Sequence, residues 1–283
     1  MPELPEVEVV RLGLAAAIPE RTISSVEVLH PRPVRRHVGG PQDFASTLVG
    51  RRFAVPRRRG KYLWLPFFDG DALMAHLGMS GQFRLDDPGS PLPPQCRVVF
   101  GFADAASELR FADQRMFGGL WLSPGGADGP AEIAHIAADL FDDALDLEAM
   151  IGDIRSRTSG IKRVLLNQAV VSGIGNIYAD EALWLSRIHY DTPASRLSAT
   201  RVAQLLAAAR QVMASALAEG GTSFDALYVN VNGTSGYFGR SLSVYGRADL
   251  PCPRCGRPIV REAFMNRSSY RCPRCQPRPR GLG

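Results

Sequence analysis

Residues 252–275 read CPRCGRPIVREAFMNRSSYRCPRC. Two C-x2-C knuckles, Cys252/Cys255 and Cys272/Cys275, stand 16 residues apart, and each is the same tetrapeptide, CPRC. Knuckles at this separation can set four thiolates around one tetrahedral Zn²⁺. A disulfide pair would need an oxidising compartment, and a redox dithiol would need a βαβ context; neither suits this pattern. Four protein ligands leave no open coordination position, so such a metal is structural. It folds a segment too short to bury a core of its own. The segment is also basic: Arg254, Arg257, Arg261, Arg267, Arg271, Arg274, Arg278 and Arg280 are opposed by Glu262 alone. The module therefore offers positive charge to a partner. Cys96 stands by itself and reads as a buried apolar residue.

Upstream, residues 161–184 read IKRVLLNQAVVSGIGNIYADEALW. Apolar spacing gives a helix, a glycine-punctuated turn and a second helix, with Gly173 and Gly175 allowing close backbone approach and Asn176 expected as the N-cap. A helix N-terminus beside glycines can hold a phosphate. Helix–turn–helix units bind DNA, although plain helical hairpins are commoner. From Ala131 to Glu219 the chain is rich in Ala, Leu, Ile and Gln at helical spacing.

Before that, 21–30, 51–67, 71–85 and 97–103 mix β-branched and aromatic residues with turn signals and read as strands. Residues 86–94, DDPGSPLPP, read as a loop. Pro and Gly cluster at 124–131, the expected boundary. The chain opens MPELPEVEVVRLGL, in which Pro5 and Glu6 suit a helix start and Val7, Val10, Leu14 and Ala17 recur at helical spacing. Helix capping gives no reason for Pro2 to follow Met1 directly.

The whole chain has 283 residues, a net charge of +5 and 45% apolar residues, enough for real cores in one or two domains. No window suits a membrane span, and no basic-then-apolar leader opens the chain, so the cytoplasm is the expected location. A second basic cluster holds Arg51, Arg52, Arg57, Arg58, Arg59 and Lys61. An acidic stretch with Asp139, Asp142, Asp143, Asp146, Glu148 and Asp153 lies between the basic regions. This distribution suggests a polyanion held at particular places.

Taken together, these pieces resemble the bacterial formamidopyrimidine-DNA glycosylase family. The resemblance runs from the first residue to Gln276. It covers MPELPEVE, RGKYLWL at 59–65, HLGMSG at 76–81, FADQRMFGG at 111–119, LLNQAVVSGIGNIYADE at 165–181, VYGR at 244–247 and the closing SSYRCPRCQ. The related endonuclease VIII branch typically starts MPEGPE and lacks HLGMSG and the FADQR-type segment. The resemblance implies an α+β fold: an N-terminal β-sandwich with flanking helices (1–128), a helix-two-turn-helix DNA-binding domain (129–243) and a C-terminal four-cysteine zinc finger (244–283). Damaged double-stranded DNA, the expected partner, would lie across the cleft between the domains. One structural zinc, no small-molecule cofactor and a monomer are expected.

The implied activity is a bifunctional glycosylase and AP lyase that removes oxidised purines, 8-oxoguanine and formamidopyrimidines, in base-excision repair. Pro2, exposed when Met1 is removed, would be the nucleophile; a secondary amine can form an iminium at a sugar C1′ and titrates nearer neutrality than lysine. Glu3 would be the general acid/base, with Glu6 beside it positioning the sugar or moving a proton. Met79, Arg115 and Phe117 would fill the gap left by the extruded base. Lys61, His76, Asn176 and Arg267 match phosphate contacts at the catalytic nucleotide, Lys61 and Arg267 serving catalysis as well. Lys162 matches a lysine near the lesion pocket, and Tyr228–Tyr237 resembles a lid over the extruded base. Leu12, Gln114, Met116 and Asn266 depart from the family pattern, which bears on lesion preference. Without the resemblance, Met79 and Phe117 would be taken for core residues. Two other functions compete: an endonuclease VIII-like preference for oxidised pyrimidines, and zinc-dependent DNA binding without catalysis. Pro2, Glu3 and Glu6 argue against the second, because DNA binding needs none of them.

Overall fold

The first helix begins where the sequence puts its cap. In the computed structural model, which describes residues 2–221, 231 and 241–279, helix α1 spans Leu4–Ala15 with extended Glu3 as its N-cap and Pro5 in its first turn. Val7, Val10 and Leu14 are buried on its inner face, while Ala17 lies beyond its end. Glu8 pins the outer face by accepting from Arg11 Nη2 at 2.7 Å and from Arg58 Nε at 2.8 Å. Burial raises the Glu8 pKa, but the bonds from Arg11 and Arg58 outweigh it and hold the carboxyl below its ordinary range.

Among the described residues, the chain divides into two compact units. The first takes Met1–His135 with Gly220–Tyr237, and the second takes Ile136–Glu219 with Phe238–Gly283. The first unit holds eight strands: β1 (Ile23–Val28), β2 (Arg57–Arg59), β3 (Tyr62–Pro66), β4 (Ala72–His76), β5 (Gly81–Asp86), β6 (Cys96–Phe102), β7 (Glu108–Asp113) and β8 (Gly119–Ser123). They pair antiparallel in two four-stranded sheets, β1-β6-β7-β5 and β2-β3-β4-β8. One core joins both sheets to α1 and to helix α2 (Gly40–Leu48): Leu63, Leu65, Leu73 and Leu120 from one, Val98, Phe100, Leu109 and Phe111 from the other, with Phe44 and Leu48. Each such side chain contributes about 1.5–3 kcal/mol on burial. This is the expected β-sandwich with flanking helices, and Cys96 is buried within it.

The sequence marks β1 to β6 but not β7 and β8. Glu108, Arg110 and Asp113 break the apolar pattern of β7. They are tolerated because they are bonded: Arg110 is buried, paired with Glu108 and donating to the carbonyls of Ser90 and Pro91.

In the second unit, helices α3 (Leu147–Arg155), α4 (Ile161–Leu166), α5 (Asn176–Leu185) and α6 (Ala199–Ala218) precede a two-stranded hairpin, β9 (Val260–Phe264) and β10 (Arg267–Arg271). The helical stretch expected from Ala131 begins its first α-helix only at Leu147. The acidic residues are the reason. Asp139 and Asp142 accept from the backbone N–H groups of Phe141 and Ala144, turns that compete with helix, and Asp146 caps α3 by accepting from Ala149. No helix among the described residues is long and apolar enough to cross a membrane.

Candidate functional site

Pro2, Glu3 and Glu6 lie together at the start of α1. All three are buried. The two carboxylates form a reciprocal capping box: the Glu3 N–H donates to Glu6 Oε2 at 2.8 Å, and the Glu3 side chain accepts from the Glu6 backbone. The cap and the candidate acids are therefore the same groups. Gly221, at φ 88°, passes beside Glu6. The Pro2 nitrogen becomes an amine only when Met1 is removed. The lid expected over Tyr228–Tyr237 lies outside the described residues except for Val231.

Lys61 sits at the tip of the β2–β3 hairpin, partly exposed, in a two-residue loop opened by Gly60 at φ 56°. His76 ends β4. Burial, then the charges of Arg36, Lys61 and Arg35, push its pKa down to about 4, so the ring is neutral at pH 7. Its Nδ1 accepts the Gly78 N–H at 3.2 Å, which leaves the proton on Nε2 as a donor.

The two segments that carry Met79, Arg115 and Phe117 meet. Met79 is 40% and Phe117 51% exposed, so neither is a core residue. Arg115 reaches Met79, with Nη1 3.8 Å from the sulfur. Gly78 has φ 62°, and a Cβ there would fall 2.5 Å from the Gly118 nitrogen, so only glycine allows this approach. An exposed methionine, guanidinium and ring thus stand on two joined loops.

In the second unit the structure corrects two expectations. The N-cap of α5 is Gly175, with extended backbone, and Asn176 is the first helical residue. Asn176 is held elsewhere, its Nδ2 donating to Ser268 O at 2.9 Å, one residue from exposed Arg267 at the start of β10. These two candidate phosphate ligands are thus neighbours. Lys162, expected near a lesion, is fully buried and reaches no surface. Its Nζ stands 2.6 Å from Asp180 Oδ1 and 4.7 Å from the Phe264 ring centroid.

The sequence places Asp180 and Glu181 in the turns after Asn176 but gives no partners for them. Asp180 also accepts from Ser269 Oγ and the Tyr270 N–H, both at 2.9 Å. Glu181 accepts from three successive N–H groups, those of Ser243, Val244 and Tyr245. Burial raises the pKa of both. The signal available for this burial was an adjacent acid pair inside an otherwise apolar helix. Sequence reading missed Gln168: its amide brackets the turn before α5, donating to Leu166 O and Ile174 O and accepting from the Gly173 N–H. Of the departures, Leu12, Gln114 and Asn266 are exposed.

The four cysteine sulfurs lie within 4.8 Å of one another. A zinc thiolate tetrahedron with bonds of about 2.3 Å places sulfurs about 3.8 Å apart, so the set fits the metal. Two N–H groups support the sulfurs, Cys275 N to Cys272 Sγ and Trp184 Nε1 to Cys252 Sγ, both at 3.4 Å. The apolar cluster here is small, with Val244 and Ile259 packed on Cys252 and Cys272. Arg271 grips Glu262 with two bonds, 2.7 and 2.8 Å, and that bonding first of all takes Glu262 down to about 2.

Known proteins match the chain domain by domain. Residues 1–120 match the formamidopyrimidine-DNA glycosylase N-terminal domain, and 136–226 match the formamidopyrimidine-DNA glycosylase H2TH domain. Residues 249–278 match a zinc finger found in FPG and IleRS, so the cysteine module is a structural zinc site. The chain is 62% identical to a formamidopyrimidine-DNA glycosylase from a Nocardioides species, over 99% of this chain and 96% of that one. It is similar to Lactococcus lactis FPG in crystal structures with Fapy-dG containing DNA (TM-score 0.87) and with abasic site containing DNA (TM-score 0.85). Both are 31% identical, over 98% of this chain and 100% of theirs. The chain belongs to the formamidopyrimidine-DNA glycosylase family.

Proposed function

We propose that this DNA glycosylase excises oxidised purines from duplex DNA and then cuts the strand as an AP lyase, with Pro2 as nucleophile. The target nucleotide leaves the stack, because its C1′ is out of reach inside a duplex. The Pro2 amine attacks C1′ and loses its proton, while the C1′–N bond breaks and the base departs with that electron pair and a proton. Glu3 moves protons at the sugar ring: O4′ is protonated, the C1′–O4′ bond breaks and an iminium forms. Loss of a C2′ proton expels the 3′ phosphate; loss of a C4′ proton then expels the 5′ phosphate. Hydrolysis frees Pro2. Glu6 holds Glu3. Lys61 and neutral His76 in one unit, and Asn176 and Arg267 in the other, bind phosphates by charge and by N–H donation.

The observation that carries this reading is the capping box, which fastens each of two buried glutamate side chains to the other's backbone N–H directly after Pro2. Borohydride trapping on a duplex with one 8-oxoguanine tests it. A covalent adduct is expected with the Met1-processed protein. No adduct, or an undiminished trapping rate with Pro2→Gly, overturns the mechanism. Faster excision from duplexes carrying an oxidised pyrimidine overturns the purine preference.

A further inference from the structure

We infer that a buried pair, Ser80 and Asp113, presets the wedge, so that the protein meets duplex DNA with Met79, Arg115 and Phe117 already aligned. This rests on the reading of those three residues as the group that fills the gap beside an extruded base.

Residues 77–80 and 114–118 are short and project exposed side chains, which by themselves do not hold a loop in one shape. Asp113 ends β7 and has no exposed surface. One of its carboxylate oxygens accepts from Ser80 Oγ, and the other accepts from the Gly118 N–H at 2.7 Å. The Ser80 oxygen in turn accepts from the Arg115 N–H at 2.8 Å. One carboxylate and one hydroxyl thus close the 113–118 loop across both its ends and fasten it to the turn that carries Met79.

Asp113 itself cannot swing. Its N–H donates to Gln95 O at 2.9 Å, and its carbonyl accepts from Arg97 Nε at 3.1 Å. From the outer side Arg35 donates to Gly118 O at 2.8 Å, and Arg32 donates to Met116 O at 3.2 Å. Met116 is held at φ 53°, a region that non-glycine residues leave unless bonds keep them there.

A carboxylate buried this completely costs free energy unless every oxygen is bonded, and here each is bonded to a part of the wedge. Asp113 reaches no solvent, so it touches no DNA and acts only through the residues it aligns. Ser80 and Asp113 are therefore positioning residues for base extrusion. They have no part in the later lyase chemistry on a site that has already lost its base. A preformed wedge enters the stack without first ordering two loops.

The test compares wild type, Ser80→Ala, Asp113→Asn and Ser80→Thr on two duplexes, one with a base-paired 8-oxoguanine and one with a preformed abasic site. A 2-aminopurine next to the 8-oxoguanine on the same strand reports unstacking. Ser80→Ala is expected to slow single-turnover excision about tenfold to a hundredfold, the range for a misplaced positioning group. The 2-aminopurine signal should slow in step. Borohydride trapping on the abasic duplex should stay within about twofold of wild type. Ser80→Thr, which keeps the hydroxyl, should restore excision. Asp113→Asn, which keeps the shape but cannot accept at both ends, should fall between Ser80→Ala and wild type. Equal losses on the two duplexes, or undiminished excision in both Ser80→Ala and Asp113→Asn, overturn the inference. Met79→Ala separates it from the reading beneath. If Met79→Ala leaves the 2-aminopurine signal intact, the wedge reading fails and takes this inference with it. If Met79→Ala suppresses the signal and Ser80→Ala does not, only this inference fails.

Discussion

Replacing Lys162 with Met removes a buried ammonium and keeps the length and apolar stem of the side chain over Phe264. The ion pair it breaks has no solvent to fall back on: the Lys162 and Asp180 side chains are 0% and 1% exposed. Asp180 is left with two donors, Ser269 Oγ and the Tyr270 N–H. Breaking one side of a buried pair costs about 3–5 kcal/mol. A ceiling follows from acid–base chemistry, because Asp180 can take up a proton. At pH 7, neutralising a carboxyl whose unfolded pKa is about 3.9 costs about 4 kcal/mol, and at pH 5 about 1.5 kcal/mol. Burial already pushes Asp180 upward, and losing Lys162 pushes it further. An acid whose folded pKa is raised binds more protons folded than unfolded, so the variant loses stability as pH rises above 3.9. Lys162→Met should therefore lose about 3–4 kcal/mol against wild type at pH 7 and about 1.5 kcal/mol at pH 5. Adding Asp180→Asn should abolish the difference between the two pH values. The assay is urea unfolding at both, at one zinc concentration, read by Trp184 fluorescence with Trp64→Phe and Trp121→Phe in every protein compared. A loss below about 1 kcal/mol at pH 7, the size of a solvated surface pair, would refute the reasoning, as would a loss independent of pH.

Chelating zinc should abolish DNA binding, measured by fluorescence anisotropy, while circular dichroism still shows the β-sandwich. Structural zinc contributes about 10–16 kcal/mol in isolated fingers, far beyond what Val244 and Ile259 supply, and retained binding in the metal-free protein would contradict this. His76, held down to about 4 by burial, contributes stability that is complete above its unfolded pKa of 6.5 and is lost as pH falls toward 4. Between those values the loss runs at about 1.4 kcal/mol per pH unit, so His76→Gln should flatten the acid limb of the urea midpoint against pH, and an unchanged slope would argue against a neutral, half-buried ring.

Much of the fold was legible in the sequence. The cysteine spacing determined the metal, because ligand number and separation are local properties of the chain. The helix start at PELPE was equally local, and so were six of the eight sandwich strands. Resemblance, not periodicity, brought Met79 and Phe117 forward; only the folded chain shows them exposed. What the sequence could not carry is pairing between distant polar groups. Ser80 meets Asp113, Lys162 meets Asp180, and Asn176 meets Ser268 across 33, 18 and 92 positions. No period or spacing encodes such partners. A buried charge is stable only beside its complement, and which complement it finds depends on how whole strands and helices pack. That is why Lys162, placed near a lesion pocket by resemblance, is an interior cation, and why Asn176, a cap by sequence, gave that place to Gly175. The metal ligands and the first helix start were written in local residue types; the position of each group was decided by tertiary packing.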